Sequence, residues 1–533
     1  MATTAIGEVL LIPKGYVKGG QIQTFFAKIR LLLYCIFAQA KQLILKRYSS
    51  FFFILFSTLT LQAQDFEDLP GVDAIYFDDI KSIEYRTLSN EDNNDPTAQI
   101  GALNEEISNL KKRRLVEDNT DKQEAIQDDI IIKQRKLNSV YSTKSERDQW
   151  NLRYSYPLSA LPIINLGTNQ SIYFAFDDLN EEPTYYSYTV IPFSWDWSTP
   201  LDLASSEYLD GFSSSEIRNF VYPELTVTNY TAHRFHFPNN EITPTISGNY
   251  LLIVYETNSE EVAFTRRIFV ARQEFSFVDD IRSNSFDRDS LQNINFTVSY
   301  PEKYNKLAPD RDVKVVVCQN GRYDNAIIKE KPALAMNDRL RYGYQDKVAF
   351  QPGKEFRYIM MQTLDYAQVG TELVNQNKDN YEVYLAPQEE RVYRPNLFYR
   401  DLNGKFVTMN GVQNEELGDP DYAHVYFTYY RDNPYYQADL YVVGKFTDWQ
   451  FQDEYRLSFN NRVGRYEGEG FLKQGYYDYY YALKKKGSNQ LNIDKTEGHS
   501  FQTANEYTIL VYYTTPNGRF EKLVAAKTLS VNR

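Results

Sequence analysis

The chain has 533 residues, a formal net charge of −13 and only 2 cysteines, while 45 tyrosines and 33 phenylalanines supply much of its bulk. So acidic a balance excludes phosphate backbones as a target, which argues against any nucleic-acid partner, and two cysteines cannot build a disulfide scaffold. Aromatic bulk with little methionine favours strands.

Residues 1–63 read as a leader that ends in a signal peptide. Lys46 and Arg47 precede an apolar run from Phe51 to Leu61, and the small residue Ala63 follows where cleavage is expected. The run is too short to span a bilayer comfortably. The processed chain is therefore expected to be exported, and not to be an integral membrane protein. Cleavage would remove seven basic side chains and one acidic one, making the remainder more acidic and leaving Cys318 as its single cysteine. No internal disulfide is then available, so the fold must rest on its cores, and the length leaves room for about three domains.

Residues 64–96 are expected to hold an early strand, from Asp73 to Tyr85, and a polar linker. Residues 97–147 change character: Leu103, Ile107 and Leu110, then Ile126, Ile130, Leu137 and Val140, recur at helical spacing in a highly charged stretch, with a helix break at Asp118 to Asp121. The spacing predicts a charged helical hairpin inserted into a β protein. From Trp150 onward strands follow one another, and the turns divide them into sandwiches over 148–274, 275–390 and 391–533. The fold class is mainly β: tandem immunoglobulin-like or early-set β-sandwiches carrying that inserted hairpin.

Catalytic or metal-binding groups do not assemble in the sequence. His233 and His236 are three apart on a predicted strand and so face opposite ways, which removes a simple two-ligand arrangement. The adjacent acids Asp177-Asp178, Glu181-Glu182, Asp279-Asp280 and Glu389-Glu390 read as solvated faces rather than a glycosidase pair. Neither a Gly-x-Ser-x-Gly elbow nor a phosphate loop is present, and Cys318 reads as a small strand residue. The expectation is a protein that is not an enzyme, with no cofactor and no metal.

The block Gly444 to Leu483 offers the one candidate site. Its GKFTDWQ turn followed by a tyrosine-rich strand resembles the early-set sandwich of glycogen-binding modules. That resemblance implies a carbohydrate platform of Trp449, Tyr476 and Tyr477 with polar neighbours Asp448, Gln450 and Lys473. The competing reading puts Trp449 in the core beneath the strand Tyr476 to Tyr481. Thr447 stands where asparagine is usual in a Gly-x-Phe-Asn-x-Trp turn, which weighs against direct sugar contact.

Ordered blocks along most of the chain resemble a second, more specific family. Ser194-Trp195-Asp196-Trp197-Ser198, Ser206-Glu207-Tyr208-Leu209-Asp210-Gly211-Phe212, Phe237-Pro238-Asn239 and Ser247-Gly248-Asn249-Tyr250 look like successive blocks of the type IX secretion system plug proteins of Bacteroidota. Pro352-Gly353-Lys354-Glu355-Phe356-Arg357, the Gly444 to Trp449 turn, Lys473-Gln474-Gly475-Tyr476-Tyr477-Asp478-Tyr479 and Asn505-Glu506-Tyr507 continue the series. The resemblance runs from about residue 150 to the C-terminus, with a short piece at Asp73 to Tyr85; the segment Thr97 to Arg147 looks like an insertion. It implies a periplasmic protein, peripheral to the outer membrane, that binds the outer-membrane translocon barrel and blocks its pore when idle. A carbohydrate-binding accessory protein of the periplasm or cell surface is the alternative.

Overall fold

The computed structural model describes residue 66, residues 69–88, scattered residues between 109 and 133, and residues 158–532 apart from 181–183, 224, 285–290, 305–307, 337, 344–347, 411–418 and 516–517. The expected signal peptide lies outside the described residues. Of the expected hairpin, Asn109, Leu110, Ile126 and Ile130 are helical and Ile130 is buried; most of the segment also lies outside them. The described chain is mainly β, built from antiparallel sheets packed face to face.

The first sandwich takes in the N-terminal strands. One sheet runs Ala74–Ile75, Val262–Ala271, Gly248–Glu256, Tyr186–Phe193 and Ser214–Glu216, and the facing sheet runs Ile80–Leu88, Ser171–Asp178, Thr231–Phe237 and Asn219–Val221. Residues 73–88 are thus part of this body rather than an appendage. Alternate side chains meet between the sheets, where Phe174, Phe176, Tyr188, Tyr250 and Phe264 are fully buried, with Phe176 edge-on to Phe264 at 5.0 Å. The strand Gly248–Glu256 is apolar on both faces for a reason. Tyr250, Leu252 and Val254 fill this core, while Leu251 and Ile253 pack outward with Val316, Leu510 and Tyr512 of the second sandwich.

The second sandwich departs from the expected boundary at residue 390. Its first sheet uses Ser276–Asn284, Gln292–Ser299, Arg339–Tyr342 and Leu334–Ala335, but the second is Ile327–Lys329, Val313–Gln319, Asn505–Thr514 and Glu521–Val531. Val315 pairs with Val511 and Val317 with Ile509. The last two strands of the chain therefore close the middle sandwich, because the valine-rich strand Val313–Gln319 needs a partner on both edges and both faces.

The third body is inserted into the second. A ten-stranded sheet from Arg357–Met361 to Gly475–Lys485 curls around one core containing Ile359, Val383, Phe427, Leu440, Leu457 and Tyr477. The strands Arg357–Met361 and Tyr381–Leu385, expected in the second sandwich, pair with Gly475–Lys485 and Tyr422–Tyr430 of this module. Its central strand Gly475–Lys485 is covered on both sides. Tyr477, Tyr479 and Tyr481 enter that core, and Tyr480 and Ala482 a smaller one with Phe356, Tyr441 and Trp449.

Candidate functional site

The GKFTDWQ turn begins where the strand Ala438–Val443 ends. Gly444 is required by close approach, since a Cβ there would meet the carbonyl oxygen of Asp478 at 2.5 Å. A single 3-10 turn, Lys445–Thr447, follows, and Asp448 and Trp449 then take left-handed conformations with φ of 50° and 58°. Thr447 closes the turn on itself: its Oγ1 donates to the Gly444 carbonyl at 3.0 Å and accepts from the Gly444 N–H at 3.2 Å. Thr447 is a buried clasp, not a sugar ligand.

That geometry sends the indole inward. Trp449 is 6% exposed, its ring 5.8 Å from Phe356 and covered by the Arg322 guanidinium at 4.8 Å. A Cβ on Gly404 would lie 2.3 Å from its ring, so the glycine makes room for it. Tyr477 is buried in the larger core, on the opposite face of its strand, and Tyr476 is half-buried against Tyr358, stacked at 5.6 Å. The three rings expected to form a carbohydrate platform are therefore not brought together, because neighbouring strand residues point to opposite faces.

What the turn presents outward is charge, and it meets the first sandwich. Arg266 donates to Asp448 at 3.0 Å with both side chains nearly buried, and Lys445 lies 3.2 Å from Asp448 and 3.7 Å from Asp73. Asp73 also accepts the Arg267 backbone N–H at 2.7 Å, and Gln450 Nε2 donates to the Asp73 carbonyl at 3.0 Å. Burial by itself would raise the Asp73 carboxyl, but Lys445, Arg267 and Arg266 outweigh it and hold it below its ordinary value. Burial likewise works against the Lys445 charge, and Tyr85, Asp448 and Asp73 more than offset it, so the ammonium is held above its usual range. Beside this cluster, Phe77, Lys81, Phe446 and Glu454 line a cleft of about 420 Å³.

A second buried charge contact fastens the same seam. Lys473 donates to Asp177 at 2.6 Å, and the Tyr422 hydroxyl reaches the same carboxylate at 2.6 Å. Burial raises the Asp177 carboxyl despite Lys473. Nearby, Glu84 accepts the Thr408 N–H at 2.9 Å, and Asp421 accepts the Thr228 N–H at 3.0 Å. The pair Asp177-Asp178, expected to be a solvated face, is buried instead. Asp178 accepts the Tyr186 hydroxyl at 2.9 Å. Glu389 is exposed and Glu390 half-buried, and they pair with Arg394 and Arg431.

The remaining reactive groups are packing elements. His233 is buried, stacked on Phe176 at 4.8 Å, while His236 lies on the other face of the strand, against Tyr173. His424 pairs with Glu469 and His499 with Asp494. Burial pushes the Cys318 thiol up to about 12, as befits a small core residue. Among the described residues no three His, Cys, Asp or Glu side chains could hold a metal ion.

Several of the blocks that carry the second resemblance hold residues at places where bodies meet, while Tyr208, Leu209 and Phe237 fill the core of the first sandwich. Trp195 packs with Tyr512 at 6.3 Å, and Trp197 flanks Arg267, whose guanidinium also lies 4.5 Å from the Tyr323 ring. Asn249 accepts the Tyr512 hydroxyl at 2.7 Å. Phe356 stacks on Tyr480 at 3.9 Å, Lys473 holds Asp177, and Asn505 Nδ2 donates to Gln292 at 2.9 Å and to the Pro352 carbonyl at 3.0 Å. Fold and site together define a multi-sandwich protein whose distinctive residues lock its bodies to one another.

Comparison with known proteins agrees with that class. Residues 138–272 match the family described as type 9 secretion system plug protein 1st domain. That match supports the plug-family resemblance over this segment, and it points to type IX secretion. No curated protein matches the chain. Among solved structures, a hypothetical protein from Parabacteroides merdae ATCC 43184 is similar at 26% identity and a TM-score of 0.65, over 69% of this chain and 93% of that one. Among the described residues no helix is long and apolar enough to cross a membrane. The cluster of Asp73, Arg266, Lys445 and Asp448 escaped the sequence reading because its members come from three distant segments, and only the turn itself carried a local signal.

Proposed function

We propose that the protein is a periplasmic plug, peripheral to the outer membrane, that binds the outer-membrane barrel of the type IX translocon and blocks its pore when idle. It acts by occupancy and catalyses nothing. The observation that carries this reading is the family match over residues 138–272. The locked seams support it, since a stopper must resist deformation when it seats. The matched segment also offers a contact surface: Tyr185, Phe220 and Tyr222 form a chain of ring contacts at 6.1 and 5.9 Å, with Phe212 and Leu225 exposed on the same sandwich. Carbohydrate binding through Trp449 has no comparable support, because the ring is enclosed.

The test is recovery of a tagged chain from the native envelope. The expected result is co-purification of an outer-membrane barrel, and a deletion strain whose outer membrane admits large antibiotics while secretion continues. A preparation without any barrel, together with unchanged permeability, would overturn the proposal.

A further inference from the structure

We propose that the loop of residues 391–400 is a membrane-insertion tip through which the protein rests on an anionic phospholipid surface. Its apolar side chains face water: Tyr393 is 92% exposed, Leu397 74% and Phe398 65%. Yet its backbone is fixed from behind by polar groups. Lys354, itself buried, donates to the carbonyl oxygens of Arg391, Val392 and Arg394, the last two at 3.2 and 2.7 Å. Arg391 donates to the Glu355 carbonyl at 2.9 Å and to Glu497 at 2.7 Å, and the Tyr399 hydroxyl donates to the Phe356 carbonyl. Loss of hydration lowers the Lys354 pKa, a cost offset by the carbonyl cage. A loop ordered in this way has met the entropy of binding in advance, which is the mark of a preorganised contact.

Charge selects the occupant. Arg394 and Arg400, both exposed, flank the apolar tip on a chain of net charge −13. Arg394 is shared with Glu389, and Arg400 makes no ion pair among the described residues. Cations around a few exposed aromatic and aliphatic side chains match the boundary between anionic headgroups and acyl chains. A protein partner would need about 800 Å² on each side, more than a three-residue tip presents. Tyr436 adds an exposed aromatic on a loop tied to this one, where Arg431 donates to Glu390 at 2.7 Å.

The experiment is sedimentation of the purified protein with vesicles, with no barrel present, so it stands apart from the plug reading. Vesicles of phosphatidylethanolamine and phosphatidylglycerol should bring down the wild type and phosphatidylcholine vesicles should not. The double variant Leu397→Glu, Phe398→Glu should bind at least about tenfold more weakly at an unchanged unfolding midpoint. Arg400→Glu should weaken the dependence on phosphatidylglycerol, and Phe398→Trp should report insertion through a blue-shifted emission. A wild type that stays in the supernatant, or a double variant that binds equally well, overturns the proposal. So does a double variant that loses barrel capture in the absence of any vesicle binding, which would assign the tip to a protein.

Discussion

The Lys473 ammonium lies 2.6 Å from the Asp177 carboxylate across the seam between the first sandwich and the inserted module, joining positions 296 residues apart. Both side chains are more than nine-tenths buried. Removing one partner of such a pair leaves a charge in a medium that solvates it poorly. Lys473→Met should therefore cost about 3–5 kcal/mol in denaturant unfolding. Adding Asp177→Asn, which keeps an acceptor for Tyr422, should recover most of that loss. Equal stability of wild type and single variant would show that water reaches the seam.

Trp449 offers a test of burial against display. Trp449→Ala should destabilise the protein by about 3–5 kcal/mol, as expected for emptying a core position, and the wild type should pass unretarded through an α-glucan affinity gel. Retention of the wild type, lost in a variant of unchanged stability, would return the carbohydrate reading.

Acid should act first on His233. Burial lowers its pKa to about 4, and both ring nitrogens lack hydrogen-bond partners among the described residues. The unfolded chain takes up this proton near the ordinary value of about 6.5, so the contribution is whole above that pH and drains away as pH falls from 6.5 toward 4. Asp73 and Glu497 are held low by cations, so their contributions are lost only at lower pH, as it falls from ordinary carboxylate values toward depressed ones. Between pH 6.5 and 4.5 the wild type should lose on the order of 2 kcal/mol, and His233→Phe should flatten that slope. Parallel pH curves for the two proteins would contradict this assignment.

Deletion of residues 97–147, with a short Gly/Ser linker across the gap, should leave the β bodies folded, since long surface insertions contribute little to the cores they interrupt. Circular dichroism and the unfolding midpoint would check it. A collapse of the whole protein would mean that the buried Ile130 belongs to a β core.

Local pattern carried the strands well and their partners poorly. Tyr422–Tyr430 alternates buried and half-exposed residues as its sequence implies, and Gly475–Lys485 could be read as a strand from its tyrosines alone. Nothing near Val313–Gln319 discloses that Asn505–Thr514 lies beside it, because pairing at that distance leaves no periodicity in either segment. Trp449 was ambiguous for another reason. An indole suits an exposed platform and a buried core equally, and the left-handed backbone of Asp448 and Trp449, which turns the ring inward, is encoded by contacts with Gly404 and Arg266 that come from elsewhere in the chain.

Synthesis from the N-terminus gives the closing strands a further meaning. Val313–Gln319 is made early, yet the partner on one of its edges arrives only after the whole inserted module has been completed. Until then Val315, Val316 and Val317 form an open, sticky ledge that can recruit foreign strands. A chain broken off before residue 505 keeps that ledge, and only one that includes Asn505–Thr514 can cover it. The hairpin of Asn505–Thr514 and Glu521–Val531 thus hides a surface that every shorter product exposes, and products lacking it should appear as aggregates rather than as soluble fragments.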